Sequence, residues 1–310
     1  MRIFLNGATG YIGSSVLDAL VRAGHTVTAL VRSNEKARQV ADRGAHPVIG
    51  NLAEPDSYHA VAEDQDGYVH AAFDSASGRG PAMDQIALET MIDAASHPRP
   101  GGGAPRFIIY TSGIWILGRC PVPATEETPI NPIGVASFRP PLEQLVLAAG
   151  ADHLRTVVVR PGVVYGRGAG IIGDLFRSAG NGLVRVIGDG NNRWPLVYDR
   201  DLADLYVRLA AREDAAGIYH ANDEGDERVN DIVEAIATHL PMKPDVRHVP
   251  IEEARAKMGP YAEALALDQV IRSPRARALG WVPSLHSVGG NAARLLDEWR
   301  ASKEKSEGKS

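Results

Sequence analysis

Gly7, Gly10 and Gly13 stand three residues apart in Gly7-Ala8-Thr9-Gly10-Tyr11-Ile12-Gly13, directly after the apolar run Ile3 to Leu5 and before an amphipathic stretch of helical length. Glycines at a strand-to-helix junction permit a tight turn, let backbone N–H groups approach a pyrophosphate, and let the helix pack closely on the strand. Binding a dinucleotide is the chemistry this spacing suits, with Thr9, Tyr11 and Ile12 as flanking contacts. About twenty residues further on, an acidic residue would be expected to take the ribose hydroxyls of NAD. Here the second apolar run ends in Val31-Arg32-Ser33 instead. A guanidinium at Arg32 can pair with a 2′-phosphate, so NADP is the expected cofactor and NAD the alternative. A solvated surface arginine is the competing role for Arg32.

The elements that must position these residues alternate along the chain. Short aliphatic runs at Ile3–Leu5, Thr26–Val31, Pro47–Ile49, Gly67–His70, Phe107–Tyr110 and Thr156–Val159 are separated by helical patterns from about Ile12 to Ala23, around Asp84 to Ala95 and around Pro141 to Ala149. That rhythm predicts an α/β fold: a doubly wound parallel Rossmann sheet. His97 to Pro105, rich in proline and glycine, is expected to be an exposed loop. After Val164 glycines crowd the chain up to Gly190, and helical runs follow near Val229 to His239 and Asn291 to Arg300. The expected division is a Rossmann domain over 1–164 plus about 196–218. A smaller C-terminal α/β substrate domain takes about 165–195 and 219–300, and 301–310 is a disordered tail.

Composition narrows the classes. The chain has 310 residues, 44% of them hydrophobic, and a formal charge of −5, enough for a large core and without the Lys/Arg blocks of a nucleic-acid or membrane-surface binder. Cys120 is the one cysteine, so there is no intrachain disulfide, and a reducing cytoplasm is the expected location. Met1 to Leu5 is too short for a signal peptide or a membrane span. The ten histidines, His70, His153 and His220 among them, show no metal spacing, and no metal is expected.

These motifs, in order, resemble those of the extended and atypical short-chain dehydrogenase/reductases, the superfamily of NAD-dependent epimerase/dehydratase-like proteins. The TGxxGxxG element is matched by Asn6 to Gly13, GDL by Gly50-Asn51-Leu52, and the fourth-strand alanines by His70-Ala71-Ala72. RPxxVYG is matched by Arg160 to Gly166, HVxDLA by Tyr198 to Ala203, and LGWxP by Leu279 to Pro283. The resemblance implies Asn51 and Leu52 beside the adenine, Ala71 and Ala72 along the cofactor, and Pro161 near the nicotinamide. Thr111, Arg139 and Val164 complete the implied cofactor contacts. For Asp201 and Trp281 the alternative is pure packing, as a helix cap and a core filler.

The family's proton chemistry rests on a Ser/Thr with Tyr and Lys in YxxxK. Alignment on Glu143 puts Val135 in the tyrosine's place and Arg139 in the lysine's, while Gly113 falls at the serine position, one residue past Ser112. This resembles an atypical subgroup in which arginine replaces the lysine and an Asn192-Arg193-Trp194-Pro195 segment precedes the HVxDLA counterpart. Arg139 stays protonated and suits anion or oxyanion stabilisation; holding the cofactor's ribose is its equal alternative. Ser112, Tyr165 and Tyr198 are the candidate proton donors, with a satisfied structural role or a water donor as alternatives. Trp115, Phe176, Trp194 and Tyr261 are expected near the cleft, which suggests an apolar substrate, or simply core. The expected function is an NADP-dependent oxidoreductase acting on a small carbonyl, alcohol or enone. A non-catalytic NADP sensor and a divergent nucleotide-sugar epimerase or dehydratase are the alternatives. The family's four-helix contact implies a homodimer, with the helices around Asp84 and Pro141 to build it.

Overall fold

A computed structural model describes residues 1–75, 77–96 and 104–307, the last three by their backbone alone. Residues 97–103 of the loop expected over 97–105, and the final 308–310, lie outside the described residues. The chain divides into two compact units: Met1–Ser112, Phe138–Arg160 and Ala203–Tyr219 form the first, and Gly113–Ser137, Pro161–Leu202 and His220–Ser310 the second.

The first unit is built on a seven-stranded sheet. Its strands are β1 (Arg2–Asn6), β2 (Thr26–Val31), β3 (His46–Ile49), β4 (Gly67–His70), β5 (Arg106–Thr111), β6 (Leu154–Pro161) and β7 (Gly217–Ala221), in the order β7-β6-β5-β4-β1-β2-β3. Pairing from β3 through β6 is parallel, and the order reverses beside β1, the geometry that places a ligand crevice at the strands' C-terminal ends. Every residue of β6 is buried, as are Ile3, Phe4 and Leu5, because helices cover both faces of such a sheet. These include α1 (Tyr11–Arg22), α2 (Asn34–Ala41), α3 (Gly80–Ala95) and α4 (Arg139–Ala148). Pro140 and Pro141 sit in the first turn of α4, where a missing N–H costs nothing. Buried Arg155 ties the helix Asp199–Ala211 to the sheet: it lies over the Phe107 ring and donates to the carbonyls of Leu209 and Ala210, free acceptors of the helix end, and to that of Ala215 just beyond it.

The second unit holds short strand pairs and helices around a core that includes Tyr165, Phe176, Trp194, Tyr198 and Trp299. Val163–Tyr165 pairs with Leu196–Tyr198, and Leu183–Ile187 with Asp245–Val249, both parallel. Segment 113–137, expected with the Rossmann unit, falls here instead. Its strand Cys120–Ala124 pairs with Gln269–Ile271, and Gln269 Nε2 donates to the carbonyls of Ile114 and Gly118 at 3.1 and 2.8 Å. Residues 196–202, expected to return to the first unit, also belong to the second. The last helix runs from Ala292 to Glu307, past residue 301 where a disordered tail was expected. Lys303 lies 4.1 Å over the Trp299 ring, and its Lys/Glu-rich sequence favours helix once the first turns are anchored. Two motifs interlock: Trp281 donates to the Asp201 carbonyl at 2.7 Å, and the Asp201 carboxylate accepts from Ser284 and Leu285.

Candidate functional site

At the C-terminal ends of β1, β2 and β4 a cavity of about 510 Å³ opens between the glycine turn and the loop after β4. Gly7, Thr9, Gly10, Tyr11, Ile12, Arg32, Leu52, Ala71 and Ala72, all singled out from the sequence, line it. Gly7 and Gly13 are there because nothing larger fits. A Cβ on Gly7, which has φ +81°, would lie 2.5 Å from the carbonyl of Ala71. A Cβ on Gly13 would lie 2.2 Å from the Gly7 oxygen, so Gly13 serves the approach of α1 to the turn and does not itself line the cavity. A backbone cradle this tight, lacking side chains at the start of a helix, is suited to a phosphate group.

Asn51 was expected beside an adenine. Its side chain is spent locally, donating to Glu54 at 2.9 Å and accepting from the Ala53 N–H at 3.1 Å; Gly50 lines the cavity in its place. Thr111 likewise does not line it; its hydroxyl is 2.6 Å from the Tyr206 hydroxyl. Pro161 and Val164 belong to the second unit. The cavity also draws on residues not singled out: Lys36, Phe73, Asp74, Ser75, Met83 and Asn6 among them. Lys36 could have been found, since it follows Arg32 by four residues at the start of a helix capped by Ser33, whose hydroxyl accepts from the Lys36 N–H. Two cations and a helix N-terminus therefore converge at that end.

Asn6, His70 and Tyr110 occupy one register row across β1, β4 and β5. His70 is wholly buried, with Nδ1 2.7 Å from Asn6 Oδ1 and Nε2 3.1 Å from Asp84 Oδ1. Asn6 Nδ2 is buried without a partner among the described residues although Asn6 lines the cavity. Such an orphaned donor has the chemistry of a ligand contact.

Arg139 is held in place. Its guanidinium lies 5.5 Å from the Phe73 ring centre and 4.9 Å from that of Phe138, the two rings being stacked at 5.1 Å. Nη1 donates to the Tyr110 hydroxyl and the Thr111 carbonyl at 3.3 and 3.1 Å. Phe73 carries this arginine to the cavity wall, and only Nη1 is committed among the described residues. Burial drives the Tyr110 phenol well above its usual range against the opposing charge of Arg139, so it is an acceptor here and a poor acid.

The three expected proton donors are all engaged. Ser112 donates to Glu143 Oε1 at 2.5 Å, and Arg160 grips the same carboxylate at 3.0 and 2.6 Å. All three side chains are buried. Tyr165 and Tyr198 come within 5.6 Å of each other in the core of the second unit. Tyr198 donates to Glu298 at 2.8 Å, and burial and then that bond push it up to about 12. Tyr165 donates to Asp223 at 3.3 Å, and burial raises it further still.

Burial, reinforced by the charges of Glu227 and Asp226, pushes Asp223 itself up to about 7, although bonds from Gly225 and Tyr165 oppose this. A carboxyl raised on folding stabilises fully below its unfolded value near 4, and the contribution is lost as pH rises through 7. Asp223→Asn, which keeps an acceptor and has no charge, is therefore expected to gain ~2–4 kcal/mol over the parent above pH 7 and nothing near pH 4. Urea unfolding across that range reads the difference; a gain independent of pH would remove ionisation of Asp223 as its cause.

The seven-stranded sheet, its reversal beside β1 and the glycine turn define a Rossmann protein of the dinucleotide-binding type. The profile of the NAD dependent epimerase/dehydratase family matches residues 3–221, and the chain belongs to that family. It is 32% identical over 297 residues to an uncharacterised protein of Schizosaccharomyces pombe, covering 93% of this chain and 96% of that one. It is 26% identical over 265 residues to the 4-hydroxy-2-methyl-3-oxo-4-farnesyl-3,4-dihydroquinoline-1-oxide ketoreductase of Stigmatella aurantiaca, covering 83% and 78%. A crystal structure of human epimerase family protein SDR39U1 with NADPH has the same fold, with a TM-score of 0.78 at 21% identity over 96% of this chain and 99% of that one. No helix among the described residues is long and apolar enough to cross a membrane.

Proposed function

We propose that this protein is an NADP-dependent oxidoreductase that reduces the carbonyl of a small apolar molecule without the Tyr-Lys pair of its superfamily. The observation that carries this reading is the 510 Å³ cavity with a glycine cradle on one side and Arg32 with Lys36 on another. The cradle suits the pyrophosphate, Asn6 Nδ2, without a partner among the described residues, offers a further donor, and the two cations suit a 2′-phosphate better than bare ribose hydroxyls. When bound, the reduced nicotinamide supplies a hydride. Arg139, held beside the stacked rings of Phe73 and Phe138 with donors to spare, stabilises the negative oxygen that develops on the substrate. With Ser112, Tyr110, Tyr165 and Tyr198 engaged or driven up, solvent water supplies the proton to that oxygen. The NADPH that accompanies human SDR39U1 in its crystal structure and the ketoreductase name of the Stigmatella relative support the same reading.

The experiment is titration of nicotinamide fluorescence followed by NADPH oxidation against aldehydes, ketones and enones. Arg32→Ala with Lys36→Ala is expected to weaken NADPH about tenfold or more, as loss of charge-assisted bonds to a phosphate requires, and to leave NADH nearly unchanged. Arg139→Ala is expected to lower kcat about 100-fold at unchanged NADPH affinity; a loss of affinity in place of kcat would reassign Arg139 to holding the ribose. Tight NADPH binding with no turnover anywhere on the panel would overturn the reductase in favour of a cofactor sensor.

A further inference from the structure

The second unit contains a cavity of its own, of about 570 Å³, enclosed by the helix Gly170–Gly180, the strand Leu183–Ile187 and the segment from Val249 to Leu265. Most of its wall is apolar: Ile171, Leu175, Ile187, Trp194, Val249 and Leu265 represent it. The volume lies within the range of small-molecule sites, about 300–1,000 Å³, and Trp194 is fixed by its indole N–H, which donates to the Leu265 carbonyl at 3.1 Å.

Four charged side chains reach the lining. Asp174 is neutralised by Arg177 at 2.6 Å, and Glu253 and Lys257 neutralise each other at 2.6 Å. The remaining one is Arg185, exposed at the middle of the strand Leu183–Ile187 and without a carboxylate or hydrogen-bond partner among the described residues. A partly open, mostly apolar cavity with one exposed guanidinium that no carboxylate among the described residues pairs is complementary to a molecule with one negative end and an apolar body.

We infer that this cavity is a binding site for an amphipathic monocarboxylate, with the carboxylate on Arg185 and the hydrocarbon against Trp194, Ile187 and Leu265. The site is complete within the second unit and does not depend on the reading of the glycine-turn cavity. Its ligand therefore binds with or without a dinucleotide present.

The full chain, free of dinucleotide, is titrated with decanoate, 1-decanol and decylamine, and binding is read by tryptophan fluorescence and calorimetry. Decanoate is expected to bind and to shift the emission, with the shift lost in Trp194→Phe. Arg185→Gln is expected to weaken decanoate at least tenfold and leave decanol unchanged. Ser178→Phe, which places a ring in the cavity from a half-buried position, is expected to abolish binding of both while circular dichroism stays that of the parent. No decanoate binding, binding indifferent to Arg185→Gln or to Ser178→Phe, or a preference for decylamine would each overturn the assignment.

Discussion

Replacing Glu143 with alanine is expected to cost about 3–5 kcal/mol, the effect of removing one partner from a buried ion pair. Glu143 and Arg160 are each 3% exposed, joined by two bonds of 3.0 and 2.6 Å, and Ser112 adds a third bond to the same carboxylate. Arg160 Nη1 already has no partner among the described residues, so alanine would strand the whole guanidinium in a dry interior. Against a total stability of about 5–15 kcal/mol, that is a large fraction. Urea denaturation would read it as a fall in the midpoint at unchanged slope. Glu143→Leu combined with Arg160→Met should recover most of the loss, because the penalty is the uncompensated charge. A single variant within about 1 kcal/mol of the parent would mean that water reaches Arg160.

Gly7→Ala is expected to weaken NADPH binding at least 100-fold, the second large effect, and it acts through geometry. The added methyl would stand 2.5 Å from the Ala71 carbonyl and the Ala72 nitrogen, and φ at this position is +81°. The left-handed region costs an alanine roughly 1–2 kcal/mol, and the clash is with backbone, so the turn must move away from the loop after β4. The cradle is lost while the sheet behind it persists. Gly10→Ala, whose Cβ would meet only the Gly7 oxygen at 3.1 Å, is expected to lose much less. Fluorescence titration of both variants gives the comparison; equal affinities would show that the turn does not contact the cofactor.

The sheet was legible in the sequence because its inner parallel strands are buried on both faces and read as continuous aliphatic runs. Ile3–Leu5 and Thr26–Val31 fall inside β1 and β2, and Gly67–His70 coincides with β4. The glycine turn was legible for a related reason: a backbone that must approach another backbone admits no Cβ, so spacing alone exposes it. Arg32 could be singled out by its distance from the glycines. Lys36 carried a signal, four residues later on the same helix start, that a search for one ribose-binding position passes over.

What could not be read was the state of each polar group. Ser112, Tyr165 and Tyr198 are the right residue types for proton transfer, and nothing in their local sequence reveals that Glu143, Asp223 and Glu298, some 31 to 100 residues away, accept their hydrogen bonds. Asn51 falls in the expected motif, yet an i+3 bond to Glu54 claims its side chain. Segment 113–137 reads as an extension of the Rossmann unit, yet strand pairing at Gln269 draws it into the other unit. Local pattern determined the strands, the turn and the kind of ligand the turn suits, because those follow from burial and backbone sterics along one stretch of chain. Tertiary structure alone decided which donors are spent, which guanidinium is stranded and which is free. Those depend on partners that meet only when distant segments fold together.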